Sequence, residues 1–263
     1  MIDIAPLRLA LIYLLMLLPL SVLLWYGVGM VAQVLLALLR MTCQLLLVGF
    51  YLEFIFERDL LWLNLLWITV MIGVADVSVV RGCGFRLSRF CLPLFVAMLL
   101  GVAIPLVFFI GCVLQVPNVM EARLAIPIAG MILGNCLRAN IVGIGRFYGD
   151  IREGERRYLM TLAQGATWTE ALRPFLQDAV KAALAPTTAM MATMGLVSLP
   201  GMMTGVILGG AEALPAIRYQ IAIMVCIFAS TGMTVFLAIQ MTARKSFNGY
   251  GVLDRDIFVS EKK

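Results

Sequence analysis

Four stretches of this chain, residues 9–39, 90–120, 182–211 and 219–243, contain no charged residue. Each is longer than the ~20 residues an α-helix needs to cross the hydrocarbon of a bilayer. Lipid offers backbone N–H and C=O groups no partners, so such a run satisfies them within its own helix. Composition agrees: 62% of the 263 residues are hydrophobic and only 13% charged, where soluble domains carry about a quarter. The pattern specifies an all-α, polytopic integral membrane protein, with 1–263 forming one transmembrane domain.

Spans are predicted at 7–28, 31–56, 60–80, 90–114, 124–145, 186–210 and 219–241. The start, MIDIAPLRL, sets Asp3 and a single base, Arg8, before the first apolar run. That is a poor n-region for a cleaved signal peptide, so the run is expected to stay as a span. Orientation follows from the bases. With seven crossings and the N-terminus outside, the inner segments hold Arg81, Arg86, Arg89, Arg146, Arg152, Arg156, Arg157, Arg173, Lys181, Arg244, Lys245, Arg255, Lys262 and Lys263. The outer segments hold only Arg8, Arg58, Arg123 and Arg218. This is the positive-inside bias of a protein with its N-terminus out and C-terminus in.

The absences exclude whole classes of chemistry. The chain has no histidine, which removes His-based triads, H-E-x-x-H zinc sites and His-ligated haem. None of its lysines follows the glycine pattern of a phosphate-binding loop, so ATP cannot be bound in that way. No paired carboxylates or nucleophile–base arrangement marks an enzyme. The formal charge of +5 comes without a basic stripe interleaved with aromatics, so nucleic acid is not an expected partner. The six cysteines include no C-x-x-C pair and read as small buried hydrophobes.

One long polar segment interrupts this pattern, at 146–185. It is expected inside the cell, as two helices around Gly165-Ala166-Thr167. Glycine there ends the first helix; Thr167 or Thr169 caps the second, with Glu170 in its first turn. Tyr158, Leu159, Leu162, Trp168 and Phe175 look exposed beside Arg156 and Arg157, the composition of a surface that another protein covers. The competing reading is a solvated hairpin that only links two spans.

Polar residues inside spans form a second constellation. Gln33, Arg40 and Gln44 share one helical face, as do Asn135 and Arg138. Asp76 is the only acid well inside an apolar run. Ionisable groups in lipid are costly, so they face a bundle interior, pair, or line a pathway. At ~1.5 Å per residue, Asp76, Arg138 and Arg40 lie ~6, ~10 and ~13 Å from the inner ends of their spans, where they could meet. A structural ion pair and a transport gate both fit.

The sixth predicted span carries Met190, Met191, Met194, Met202 and Met203 and is broken at Pro200-Gly201. Adaptable packing is the first reading of the methionines. Soft-metal ligation by Met190, Met194 and Met202 is the second. Gly201 and Gly205 form a G-x-x-x-G surface for close helix contact. Pro200 frees a carbonyl that protein or water in a cavity must satisfy.

REGE at 152–155, LAQGATWTEALRP at 162–174 and LVSLPGMMTGVILGG at 196–210 resemble the FetB-type permeases, which include bacterial iron exporters and plant aluminium-tolerance proteins. The resemblance extends over nearly the whole chain, including the Arg40–Gln44 span. It implies the permease subunit of an ABC transporter in the cell inner membrane, a homodimer surrounded by lipid, working with a separate ABC ATPase. ATP and its magnesium belong on that partner, and no cofactor is expected on this chain. The 146–185 loop also resembles the E-A-A-x-x-x-G coupling loop of ABC importers: Gly165 stands at the glycine, while Leu159, Met160 and Thr161 replace Glu-Ala-Ala. On this reading Arg156, Arg157, Leu162, Gly165, Ala166, Thr167, Trp168 and Glu170 couple to the ATPase. Arg40, Gln44, Asp76, Asn135, Arg138, Pro200, Gly201 and Gly205 line the translocation path, and iron export is the leading function. Two alternatives stand beside it: an ABC permease for an organic solute such as a nucleotide sugar, and a membrane scaffold or sensor that transports nothing.

Overall fold

The computed structural model describes residue 8 and residues 11–58, 60–116, 120–210 and 212–258, without the side chains of Glu57 and Met202. These residues form helices joined by short turns, with only isolated β-bridges between single residues. Met1–Asp59 and Leu60–Lys263 are two compact units.

The first unit contains α1 (Tyr13–Trp25), which opens as a 3-10 turn, and α2 (Val31–Arg58). Gly27, with φ +64°, supplies the left-handed residue of the turn between them. The Tyr13 hydroxyl and Thr42 Oγ1 lie 2.6 Å apart.

The second unit begins with α3 (Leu61–Gly82) and α4 (Leu87–Val113), whose last turn, Phe109–Val113, is π-helical. It continues with α5 (Ala122–Glu153), α6 (Glu155–Ala163), α7 (Trp168–Thr193), α8 (Gly201–Leu208) and α9 (Ala213–Ser246). Among the described residues, α2, α3, α4, α5 and α9 are long and apolar enough to cross a membrane, and α1 is a shorter apolar helix.

The helices at the centre are α5 and α9. Among the buried positions of α5, Ala122, Ala125, Ala129, Ile132, Cys136, Asn140, Gly143, Phe147 and Ile151 recur every three or four residues and make one stripe, widened by Ile126, Leu133, Ile144 and Tyr148. Apolar side chains on the outer faces, including Val74, Leu92, Ile104 and Phe108, are more than half exposed. Such a surface is stable against lipid and not against water. The chain is a multi-pass membrane protein.

Two glycines sit where helices of the second unit approach tightly. A Cβ on Gly101 of α4 would sit 2.4 Å from Thr234 Cγ2 and 3.0 Å from Thr234 Cα on α9. One on Gly143 of α5 would sit 2.8 Å from Val235 Cγ1 and 3.1 Å from Ala183 Cβ, where α5, α7 and α9 cross. Small residues at membrane crossings let backbones approach in this way. The G-x-x-x-G expected to do so does not: no described neighbour lies within 4 Å of a Cβ built on Gly201 or Gly205.

The sixth predicted span, 186–210, is not one helix. α7 starts in the polar segment, runs through Pro174 and Pro186, and ends at Thr193. Gly195, at φ +87°, turns the chain, and a second helix starts at Gly201 with Pro200 as its N-cap. The prolines mislead because a helix tolerates Pro inside it when the freed carbonyl finds another partner. Pro186 therefore did not mark a helix start.

Candidate functional site

The C-terminal ends of α3, α5 and α9 and the N-terminal ends of α4 and α7 meet at one end of the second unit. Phe85, Phe90, Phe147 and Tyr148 pack there with centroids 4.6–5.5 Å apart. The buried Tyr148 hydroxyl donates to Thr242 Oγ1 at 2.9 Å and lies 3.0 Å from Ser246 Oγ. Arg81, Arg86, Arg89, Arg146, Arg152, Arg244 and Lys245 also sit at these helix ends, so we refer to it as the basic end.

From this end projects the hairpin read from the sequence. α6 stops at Ala163, and Gly165 takes φ +94° to reverse the chain. Thr167 then caps α7 in a full capping box. Its hydroxyl accepts from the Glu170 N–H at 3.3 Å, and Glu170 Oε2 accepts from the Thr167 N–H at 2.8 Å. Bonding to the Thr167 hydroxyl and N–H holds the Glu170 carboxyl below its ordinary pKa.

The aromatic residues of the hairpin point the other way from the expectation, and Leu159 and Leu162 are half-buried. Tyr158 and Phe175 are buried, 1% and 4% exposed, with ring centroids 6.1 Å apart. Trp168 is half-buried with its ring 5.7 Å from Phe247. These side chains hold the hairpin to the protein's own tail, since an aromatic ring in a short polar segment serves an inner contact as well as an outer one. The exposed residues include Arg156, Arg157, Met160, Ala163, Gln164, Gly165, Thr167 and Glu170, while Leu162 and Ala166 are half-buried. The Arg157 guanidinium lies 5.3 Å from the centre of the Phe175 ring.

The tail after Ser246 is a strap rather than a loose end. Phe247 packs on Tyr158 and Trp168, and the Tyr158 hydroxyl donates to the Gly251 carbonyl at 2.7 Å. Arg255 pairs with Glu155 at 2.9 Å. Asp254 pairs with Arg89, which holds its carboxyl below the ordinary pKa. The Arg86 N–H donates to the Ile257 carbonyl at 2.9 Å, and Ile257 is fully buried. The strap thus joins the loop between α3 and α4 to the hairpin. The apolar residues Phe247, Val252, Leu253, Ile257 and Phe258 in an otherwise polar tail were the sequence signal for it.

The polar residues of the spans separate into different surroundings. Arg40 and Gln44 lie one turn apart on α2, in the first unit. Asp76 is fully buried on α3; the Cys91 thiol of α4 donates to its Oδ2 at 2.8 Å, and Oδ1 has no hydrogen-bond partner among the described residues. Arg138 does not reach it. Its Nη2 donates instead to Asn135 Oδ1 at 3.2 Å, one turn back on α5. Asp76 is buried against α4 while Arg138 is exposed beside α7, which spacing along separate helices cannot show.

Asn135 and Arg138 open onto a groove between α5 and α7 of about 570 Å³, shared with Val142, Pro186, Thr187 and Met190. The methionines considered as soft ligands are spread along the chain: Met190 in this groove, Met194 capping the end of α7, and Met202 on α8 with its side chain outside the described residues. A second polar seam, which the sequence reading missed, lies between α5 and α9. There Asn140 Nδ2 donates to Thr234 Oγ1 at 3.1 Å and to the Cys136 carbonyl at 2.8 Å.

Comparison with known proteins completes the site. A UPF0014 membrane protein of Synechocystis, slr1647, is 31% identical over 85% of this chain and 86% of its own. The "Probable iron export permease protein FetB" of Escherichia coli is 33% identical over 80% of this chain and 79% of its own. The protein ALUMINUM SENSITIVE 3 of Arabidopsis thaliana is 34% identical over 70% of this chain and 66% of its own. No solved structure matches. The model of the uncharacterised protein family UPF0014 matches residues 6–247, both the spans and the hairpin, and the chain belongs to that family.

Proposed function

We propose that this chain is the membrane-spanning subunit of an ATP-driven exporter and that a separate ABC ATPase docks on the α6–α7 hairpin. The observation that carries the reading is the hairpin itself. It is capped at Thr167, strapped to the protein at Tyr158 and Trp168, and presents Arg156, Met160, Gln164 and Glu170 outward at the basic end. A rigid projection transmits force because displacing it moves the helices to which it is fixed. The chain has no phosphate-binding loop, so ATP and magnesium belong to the partner and the chain is a transport subunit, not an enzyme. The basic end faces the cytoplasm of an inner membrane, with seven crossings if α7 and α8 together make the sixth. A second copy supplies the other half of the path, with its own hairpin and ATPase. Iron is the cargo we favour, on the similarity to the Escherichia coli permease.

The test is reconstitution with the cognate ATPase and measurement of iron flux in both directions. Outward, ATP-dependent flux is expected. Gly165→Val forces a β-branched side chain into φ +94°, a conformation that costs L-residues ~1–2 kcal/mol or more. This variant should lose co-purification with the ATPase while the membrane helices stay folded. ATPase retained on the variant would place docking elsewhere on the basic end.

A further inference from the structure

Arg138 is where a membrane helix should not carry a lone charge. It lies in the middle of α5 (Ala122–Glu153), about two turns from the charged basic end that begins at Arg146. An arginine at this depth ordinarily snorkels to the nearer interface. This one does not: its bond to Asn135 Oδ1, at 3.2 Å, folds the guanidinium toward the α5 N-terminus, away from the basic end. Within its own unit no described carboxylate pairs with it, and the groove has no acid among its described lining residues. The cationic fork is therefore exposed into a groove of about 570 Å³, within the size range of small-molecule sites.

We infer that this groove binds a compact anion bearing carboxylate or phosphate oxygens, and that iron, as cargo, travels in it as an anionic chelate and not as a bare cation. The inference rests on the transport reading for its role and on the groove for its chemistry. The planar fork of Arg138 matches an oxyanion in bidentate fashion. Thr187, on the opposite wall, adds a hydroxyl. Val142, Pro186 and Met190 provide an apolar flank for the ligand's carbon skeleton. A bare divalent cation meets repulsion from Arg138 with no carboxylate to offset it, so the same residues that favour an anion discriminate against the naked metal.

The test uses the full chain with its ATPase in nanodiscs of phosphatidylcholine, with equilibrium dialysis against radiolabelled ferric citrate, citrate alone and Fe²⁺ alone. Saturable binding of the citrate species is expected, weakened about tenfold or more in Arg138→Gln and by a smaller factor in Arg138→Lys, which keeps the charge and loses the fork. Thr187→Val, which keeps the volume, provides a milder loss should Arg138→Gln fail to fold. Citrate binding unchanged in these variants, or Fe²⁺ binding that strengthens in Arg138→Gln, overturns the inference. So does a phosphatidylglycerol arm in which that lipid blocks citrate and is retained by the wild type but not by Arg138→Gln; the occupant is then a lipid headgroup. ATP-driven iron flux that survives Arg138→Gln overturns the inference and leaves the transport reading standing. Arg138-dependent citrate binding without ATP-driven flux has the reverse meaning.

Discussion

The Tyr158 hydroxyl donates to the Gly251 carbonyl at 2.7 Å, fixing the first helix of the hairpin to a tail residue 93 positions further along the chain. The bond is shielded by the rings of Phe175 and Phe247, and burial raises the phenol pKa above its ordinary value. The strap is therefore part of the hairpin's mechanics. Tyr158→Phe keeps the ring and removes the bond, leaving the Gly251 carbonyl without it, at a cost of ~1 kcal/mol. Amide hydrogen exchange over 155–175 should quicken several-fold while α5 and α9 are unchanged. Unchanged exchange in the hairpin would show that the strap does not hold it.

The helix crossings make opposite predictions for two glycines. Gly101→Ala places a Cβ against the Thr234 backbone and should cost ~1–3 kcal/mol through overpacking, lowering the unfolding midpoint by several degrees. Gly205→Ala meets open space in this chain and should be silent or slightly stabilising. Thermal unfolding in detergent compares them directly. A large loss at Gly205 with none at Gly101 would contradict the crossing geometry.

The capping box carries a pH dependence with a defined sign. The folded pKa of Glu170 lies below its ordinary 4.5, so its contribution is fully present above pH 4.5 and is lost as pH falls through the lowered value. Wild type should unfold at a higher temperature than Glu170→Gln near neutral pH, and the gap should close in acid. Thr167→Ala removes the cap at both pH values, at ~1 kcal/mol. A gap that widens in acid would reverse the sign and reject the assignment.

Orientation is checked at the hairpin tip. Ala163 is exposed at the end of α6. A single cysteine there, in a background without the native six, should react with an impermeant thiol reagent only after the membrane is opened. Labelling in intact cells would turn the basic end outward and place the hairpin beyond reach of a cytoplasmic ATPase.

What the sequence determined by itself was one-dimensional. Charge-free length made the helices of 90–114 and 219–241 unavoidable, because lipid cannot satisfy a backbone. Gly165 and the Thr167–Glu170 spacing specified the hairpin turn, because a left-handed residue and a capping box act over four residues. The tertiary structure decided everything that depends on rotation about a helix axis and on register between helices. Asp76 meets Cys91 and not Arg138, Gly101 makes the tight crossing that Gly205 does not, and Trp168 turns inward onto Phe247. Spacing along one helix places a residue on a face and at a depth. Which helix stands opposite that face is set by the packing of the whole bundle, where small residues admit a neighbour's backbone and larger ones keep it away.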